Sequence, residues 1–208
     1  MNKVLLLASG GLDSTTMAYW LLDKGIDFIP LFINYGQHFV ETEMERLKDV
    51  LPNGKLKEIQ IIDISAVYKN SSSRLIKKTD LWTESITADD LYLPYRNILL
   101  LTIASSIAST NGLTKVYSAF INSNHAKEID CSNEFFGKLE PVFGDYGGVS
   151  LEMPFRYMTK YEVAKLGIQL GAPIGRTFSC QVSERVPCGV CPNCVDRIEA
   201  LRKITSHE

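Results

Sequence analysis

The sequence predicts an α/β fold: a five-stranded parallel sheet with helices on both faces, followed by a small C-terminal metal-binding segment. Three observations predict it. Short, continuously apolar runs alternate with segments of helical period, the pattern of βαβ units around a buried parallel sheet. The first apolar run hands over to the first helix through Ser9-Gly10-Gly11, an abrupt turn. Four of the five cysteines crowd between positions 180 and 194.

Taken in order, residues 4–8 form the first strand. Their apolar run is shorter than the ~7–15 residues of a secretory core, so it reads as a buried strand and not a signal peptide. A helix over 13–24 follows, with Met17, Trp20 and Leu21 on one face and Gly25 as its stop. Residues 28–34 are the second strand, Tyr35-Gly36-Gln37 a turn, and about 40–50 a helix. Residues 57–64 give the third strand. The stretch 65–94 has no clean period and contains Asn70-Ser71-Ser72-Ser73, so it reads as a functional loop or lid. An apolar helix over 97–109, a fourth strand over 115–120, a short helix over 133–142 and a fifth strand over 149–155 come next. Thr159 with Glu162 matches a capping box for a helix ending at Gly171.

The 208 residues suffice for one domain with a small addition, read as an α/β domain over 1–175 and a metal-binding segment with a C-terminal helix over 176–208. Lys and Arg number 22 against 24 for Asp and Glu, a net charge of −2. Without a basic excess, general nucleic-acid binding is disfavoured, because it rests on neutralising phosphates. No apolar run reaches the ~20 residues of a membrane-spanning helix, and a cytoplasmic location is expected.

The segment Ser9-Gly10-Gly11-Leu12-Asp13-Ser14-Thr15 carries the most chemistry. A helix N-terminus presents unpaired N–H groups and a partial positive charge, which together attract an anion. Gly10 and Gly11 let the backbone approach a phosphate, and Ser9, Ser14 and Thr15 add hydroxyl donors. Asp13 is suited to capping the helix or to holding a magnesium ion between phosphates. A plain Gly-Gly turn with Asp13 as N-cap is the competing explanation; the strand before and the helix after favour phosphate binding. The loop lacks the Gly-Lys-Ser/Thr ending of a Walker A loop and the G-x-G-x-x-G dinucleotide pattern.

Cys180, Cys188, Cys191 and Cys194 have the spacing C-x7-C-x2-C-x2-C. Such crowding points to a metal over disulfides. Four thiolates close a tetrahedral zinc site that is structural, with no open position; an iron–sulfur cluster takes the same ligands and stands as the rival. Cys131 stands alone.

With the loop and the cysteines in view, the chain resembles the PP-loop ATP pyrophosphatases through its Ser-Gly-Gly-x-Asp-Ser signature. Within them it resembles the QueC family, the 7-cyano-7-deazaguanine (preQ0) synthases. Further segments carry that resemblance in order: Asn34-Tyr35-Gly36-Gln37, Arg96-Asn97, Asp130-Cys131 with Glu134-Phe135, Met153-Pro154 before a Thr-Lys helix start, and Ser179-Cys180 leading to Cys188-Gly189-Val190-Cys191-Pro192-Asn193-Cys194. The resemblance implies a HUP-type, Rossmann-like sheet and an enzyme that uses ATP, Mg2+ and a structural Zn2+. Its reaction would convert 7-carboxy-7-deazaguanine and ammonia to the nitrile by adenylation, in a homodimer. Ser9 to Thr15, Tyr35, Gly36, Gln37 and Asn97 would border the nucleotide and substrate, with Asp13, Ser14 and Arg96 as the candidate catalytic residues. Arg96 suits a carboxylate or phosphate because its planar fork binds such groups bidentately.

The chain departs from the family at three places. Gln37-His38-Phe39 replaces Gln-Arg-His, Pro94-Tyr95-Arg96-Asn97 replaces Pro-Gly-Arg-Asn, and Phe120-Ile121-Asn122-Ser123-Asn124-His125-Ala126-Lys127-Glu128-Ile129 stands where the family is typically rich in acids and glycine. An altered amine acceptor, on a protein or nucleic acid, is therefore the second reading. An iron–sulfur enzyme of tRNA thiolation and a non-catalytic nucleotide-binding module are the others. His38 and His125 are candidate bases, although a lone loop histidine is more often structural or solvated.

Overall fold

The computed structural model describes residues 3–78, 86–121 and 129–206. His125 and most of the 120–129 departure lie outside the described residues. Five strands make one parallel sheet: β1 Val4–Leu7, β2 Phe28–Asn34, β3 Gln60–Asp63, β4 Lys115–Tyr117 and β5 Ser150–Glu152. Their order is β3-β2-β1-β4-β5, and every neighbouring pair runs parallel. This is the HUP-type, Rossmann-like arrangement the sequence led us to expect.

β1 shows why the chain reads as a doubly covered sheet. Val4 and Leu6 point into one apolar layer and Leu5 into the opposite one, and all three are buried. A strand sealed on both faces has no need of polar alternation. The first layer holds the helices α1 Leu12–Asp23, α2 Val40–Val50, α6 Lys160–Gln169 and α7 Pro192–Thr205. The second holds α4 Arg96–Thr110 and α5 Asn133–Gly147. A short helix, α3 Ser65–Tyr68, follows β3.

Residues Asp89–Thr110 meet the length and composition of a membrane-crossing helix. In this fold the apolarity has another cause: Leu101, Ala104 and Ala108 of α4 are buried against Leu5 and Val116 of the sheet.

Several boundaries differ from expectation. The third strand starts at Gln60 because Leu56–Glu58 is a 3-10 turn. The fourth and fifth strands are shorter than their apolar runs, although the Ser118 N–H still donates to the Glu152 carbonyl at 3.0 Å. α5 continues through Pro141 to Gly147, and Gly148 ends it with φ +64°, the left-handed stop typical of helix C-termini. The capping box at Thr159 and Glu162 forms as read, each side chain accepting the other's backbone N–H.

The described parts of 65–94 are packed down instead of forming an open loop. Tyr68, Leu75, Leu91 and Leu93 are buried in a third cluster with Tyr35, Phe39, Phe178 and three of the C-terminal cysteines. That cluster lies beyond the carboxyl ends of the strands and walls the site.

Candidate active site

The connection from β1 runs to β2 on one side, while β4 lies on the other. The crevice where such a sheet reverses direction, at the carboxyl ends of its strands, is where open α/β sheets bind ligands. A pocket lies there. It is lined by Ser9, Gly11, Asp13 and Ser14 from the β1–α1 turn, by Tyr35, Gln37 and Glu43 beyond β2, by Arg96 and Asn97 at the start of α4, and by Ser118 to Phe120 after β4.

The turn is built around a close contact. Gly10 has φ +76°, and a Cβ placed on it would fall 2.5 Å from the backbone N of Leu47 and 2.9 Å from the carbonyl O of Glu43. Only glycine satisfies both the torsion and the approach of α2. Gly11 is the N-cap of α1, with no side chain capping it. Ser14 Oγ accepts from the Ser9 N–H at 3.3 Å and donates to the Gly11 carbonyl at 3.3 Å, which fixes the turn around an open N-terminus. Leu12 is wholly buried in the core, and Thr15 Oγ1 is buried without a hydrogen-bond partner.

Asp13 does not cap the helix. Its Oδ2 receives Lys160 Nζ at 2.5 Å, from the first turn of α6. Its Oδ1 is buried with no hydrogen-bond partner. A buried carboxylate oxygen left without a donor is costly unless a cation or ligand completes it, so this oxygen is suited to meet a cation or a ligand donor in the pocket.

The turn after β2 places a polar relay on the pocket wall. Gly36, with φ +92°, donates its N–H to Asn34 Oδ1 at 2.9 Å. Gln37 is buried; its Oε1 accepts the Tyr35 N–H at 2.9 Å and its Nε2 donates to Glu43 Oε2 at 2.8 Å. Burial in the wall pushes the Glu43 carboxyl up to about 7, against the Gln37 hydrogen bond and the nearby Arg96 guanidinium. Burial, and then the Glu43 charge, raises the Tyr35 hydroxyl above its ordinary value. Arg96 lies over the Tyr35 ring, 5.9 Å from its centre.

Asn97 is committed to structure as well as lining the pocket. Its Nδ2 donates to the Asp130 carbonyl at 3.0 Å and to Cys131 Sγ at 2.9 Å, while Asp130 Oδ2 accepts the Asn97 N–H at 3.4 Å. Asp130 thus caps α4 from a distant segment. Tyr95 precedes it at φ +59°, the one non-glycine with positive φ among the described residues, with its ring 76% exposed.

The four cysteine sulfurs of 180, 188, 191 and 194 lie within 4.8 Å of one another, and no disulfide joins them. Cys188 Sγ and Cys194 Sγ are 4.0 Å apart. Zn–S bonds of ~2.3 Å in a tetrahedron require sulfurs about 3.8 Å apart, so the cluster is already near a metal-closed geometry. The N–H groups of Ser183 and Cys188 point at Cys180 Sγ at 3.2 and 3.5 Å, and that of Cys191 at Cys188 Sγ at 3.3 Å. Hydrogen bonds from the Cys191 and Cys194 side chains, and then from the Cys188 and Ser183 backbone N–H groups, hold the Cys180 thiol below its ordinary value.

Of the residues singled out in the sequence, the structure gathers Ser9, Gly11, Asp13, Ser14, Tyr35, Gln37, Arg96 and Asn97 around one pocket; Gly10, Leu12, Thr15 and Gly36 support it from behind. His38 is not among the lining residues. Its ring packs edge-on to Phe39, 4.9 Å between centres, and burial lowers its basicity. The residues singled out in the sequence do not include Glu43, Ser118 or Gln181, which line the pocket, or Lys160, which adjoins it. Glu43 was legible as an acid on the buried stripe of α2, in step with Val40, Leu47 and Val50. Lys160 gave no signal beyond its place in a helix start.

The chain is similar to known proteins along nearly its whole length. The family model for "Queuosine biosynthesis protein QueC" matches residues 3–205. A 7-cyano-7-deazaguanine synthase from Methanospirillum hungatei JF-1 is 31% identical over 212 residues, covering 97% of this chain and 96% of the relative. One from Clostridium kluyveri is 29% identical over 219 residues, covering 98% and 94%. Among solved structures, a 4-thiouridine synthetase–RNA complex with bound ATP superposes with a TM-score of 0.56 at 14% identity, covering 99% of this chain and 52% of that one. That last likeness is one of fold.

Proposed function

The chain belongs to the QueC family, and from that premise we propose that it is an ATP-dependent ligase converting 7-carboxy-7-deazaguanine and ammonia to 7-cyano-7-deazaguanine. The observation that carries the reading is the open helix N-terminus at Gly11, set in one pocket with Arg96 and the half-unpartnered Asp13. Residues 1–175 would form the ATP-binding domain and 176–208 the metal-bound segment.

A carboxylate oxygen is a poor leaving group, and transfer of AMP converts it into a good one. The turn over Ser9 to Thr15 would grip the pyrophosphate end of ATP, using backbone N–H groups and the α1 dipole. Arg96 would hold the substrate carboxylate or the α-phosphate with its fork. Asp13 would help hold Mg2+, which supplies charge neutralisation at the phosphates, and Lys160 would keep Asp13 oriented. Gln37, fixed by its three hydrogen bonds, would shape the base-facing wall. Ammonia would displace AMP to give the amide. A second adenylation, at the amide oxygen, would let that oxygen leave as the nitrile forms.

Cys180, Cys188, Cys191 and Cys194 would hold Zn2+ as a structural ion. A homodimer, a small-molecule deazapurine substrate and a cytoplasmic location accompany the reading. Purified protein given ATP, Mg2+, ammonium and 7-carboxy-7-deazaguanine tests it by mass spectrometry: the nitrile is the expected product. ATP consumption with an adenylate or amide and no nitrile would instead favour transfer to a different amine. The exposed Tyr95 ring beside Arg96, where the family resemblance leads one to expect glycine, is the observation on which that second reading rests.

A further inference from the structure

We propose that Glu43 is the proton acceptor that serves the attacking and dehydrating nitrogen, a role that rests on the synthase reading above. Its carboxyl lines the same pocket as the phosphate turn and Arg96. The α2 backbone that carries it is pressed against Gly10 of that turn. Glu43 therefore adjoins the turn proposed to hold the phosphates and shares its pocket with Arg96, the residue suited to hold the substrate carboxylate. Gln37 Nε2 fixes Oε2 at 2.8 Å, and Gln37 is itself tied to Tyr35 and Ile33, so the carboxyl is held in place by a buried partner.

The chemistry needs such a group. When ammonia attacks the acyl adenylate, a C–N bond forms and the nitrogen carries an excess proton. That proton passes to Glu43 as the C–O bond to AMP breaks, leaving the amide. Adenylation of the amide oxygen releases pyrophosphate and leaves a protonated imidate. Its two N–H protons leave in turn while the C–O bond to AMP breaks and the electron pairs close the C≡N bond. Glu43 takes each proton and returns it to solvent before the next. A carboxyl whose affinity for protons lies near neutrality both accepts and releases at working pH. The other charged groups facing the pocket are Arg96 from α4 and Asp13 from the phosphate turn, with the Tyr35 hydroxyl beside them. Asp13 is engaged by Lys160, and the Tyr35 hydroxyl is raised too far to ionise near neutrality, which leaves Glu43 as the acceptor.

The test compares the full-length protein with Glu43→Gln, which keeps the size and the acceptor for Gln37. Carboxylate-dependent exchange of pyrophosphate into ATP reports adenylation and folding; nitrile formation from the carboxylate, and from supplied amide, reports the proton-transfer steps. We expect exchange to survive within a few-fold. Nitrile formation should fall about 100-fold or more, and the rise of wild-type kcat with pH through neutrality should disappear. Nitrile made at the wild-type rate, or with the wild-type pH profile, overturns the proposal. Should Glu43→Gln lose exchange as well, Glu43→Asp decides: retained exchange with slowed nitrile formation and a displaced pH limb supports it, and loss of exchange overturns it in favour of a role in ATP binding. A wild-type protein that makes no nitrile would defeat the synthase reading itself, a separate outcome.

Discussion

The backbone N–H of Phe178 donates to the carbonyl of Gly10 at 3.1 Å, joining the phosphate turn to the strand of chain that leads into Cys180. Arg197 of α7 reinforces that junction, donating to the Ile174 carbonyl at 2.7 Å and to Thr177 Oγ1. Gln181, next to the first cysteine, lines the pocket. The four-cysteine cluster and the pocket turn are thus two ends of one short segment.

Cys191→Ser should remove the ion, because three thiolates and a hydroxyl bind zinc far less well. We expect one zinc per wild-type chain with no visible absorbance, and loss of it in the variant. The melting temperature should fall with it, since a structural ion's binding free energy is folding free energy, and KM for ATP should rise through the Phe178–Gly10 contact. Elemental analysis with thermal melts checks this.

Lys160→Met should leave α6 folded, since its cap belongs to Thr159, while stripping Asp13 of its partner. The ATP kcat/KM is expected to drop about 10- to 100-fold, corresponding to ~1.4–2.8 kcal/mol of transition-state stabilisation. Steady-state kinetics at varied Mg2+ is the measurement. An unchanged kcat/KM would remove Lys160 from the site.

Glu43→Gln should change stability in a pH-dependent way. The folded Glu43 binds its proton more tightly than the unfolded chain, its pKa raised from 4.5 to about 7. Its favourable contribution is therefore complete below the unfolded value and lost as pH rises through the folded one. At pH 8 the variant should melt higher than wild type, and by about pH 4.5 that advantage should be gone. Parallel melts across this range decide it.

Tyr95→Gly should stabilise the protein. A left-handed torsion costs a non-glycine residue about 1–2 kcal/mol, and glycine's extra unfolded-state entropy offsets roughly 0.5–1 of that. A net gain of about 0.5–1 kcal/mol by chemical denaturation is expected.

Much of this was legible in the sequence for a physical reason. The strands are buried on both faces, so their apolar runs are unbroken, and the phosphate turn and the cysteines are each local in sequence. What depended on distant partners was less legible. Asp13 looks like an N-cap until Lys160, far along the chain, is brought to it. Asn97 looks like a ligand-facing side chain until Asp130 and Cys131 claim it. The stretch 65–94 looks irregular because Tyr68, Leu75, Leu91 and Leu93 pack one at a time, with no period, onto the cysteine cluster.

The central claim is two activations at one carbon. It is tested most directly with 7-carboxy-7-deazaguanine carrying oxygen-18 at both carboxylate positions, with ATP, Mg2+ and ammonium. If each carboxylate oxygen leaves on a phosphate, every nitrile formed is matched by two molecules of AMP, each with one oxygen-18. Unlabelled AMP, or a single labelled AMP with the product stopped short of the nitrile, would contradict it.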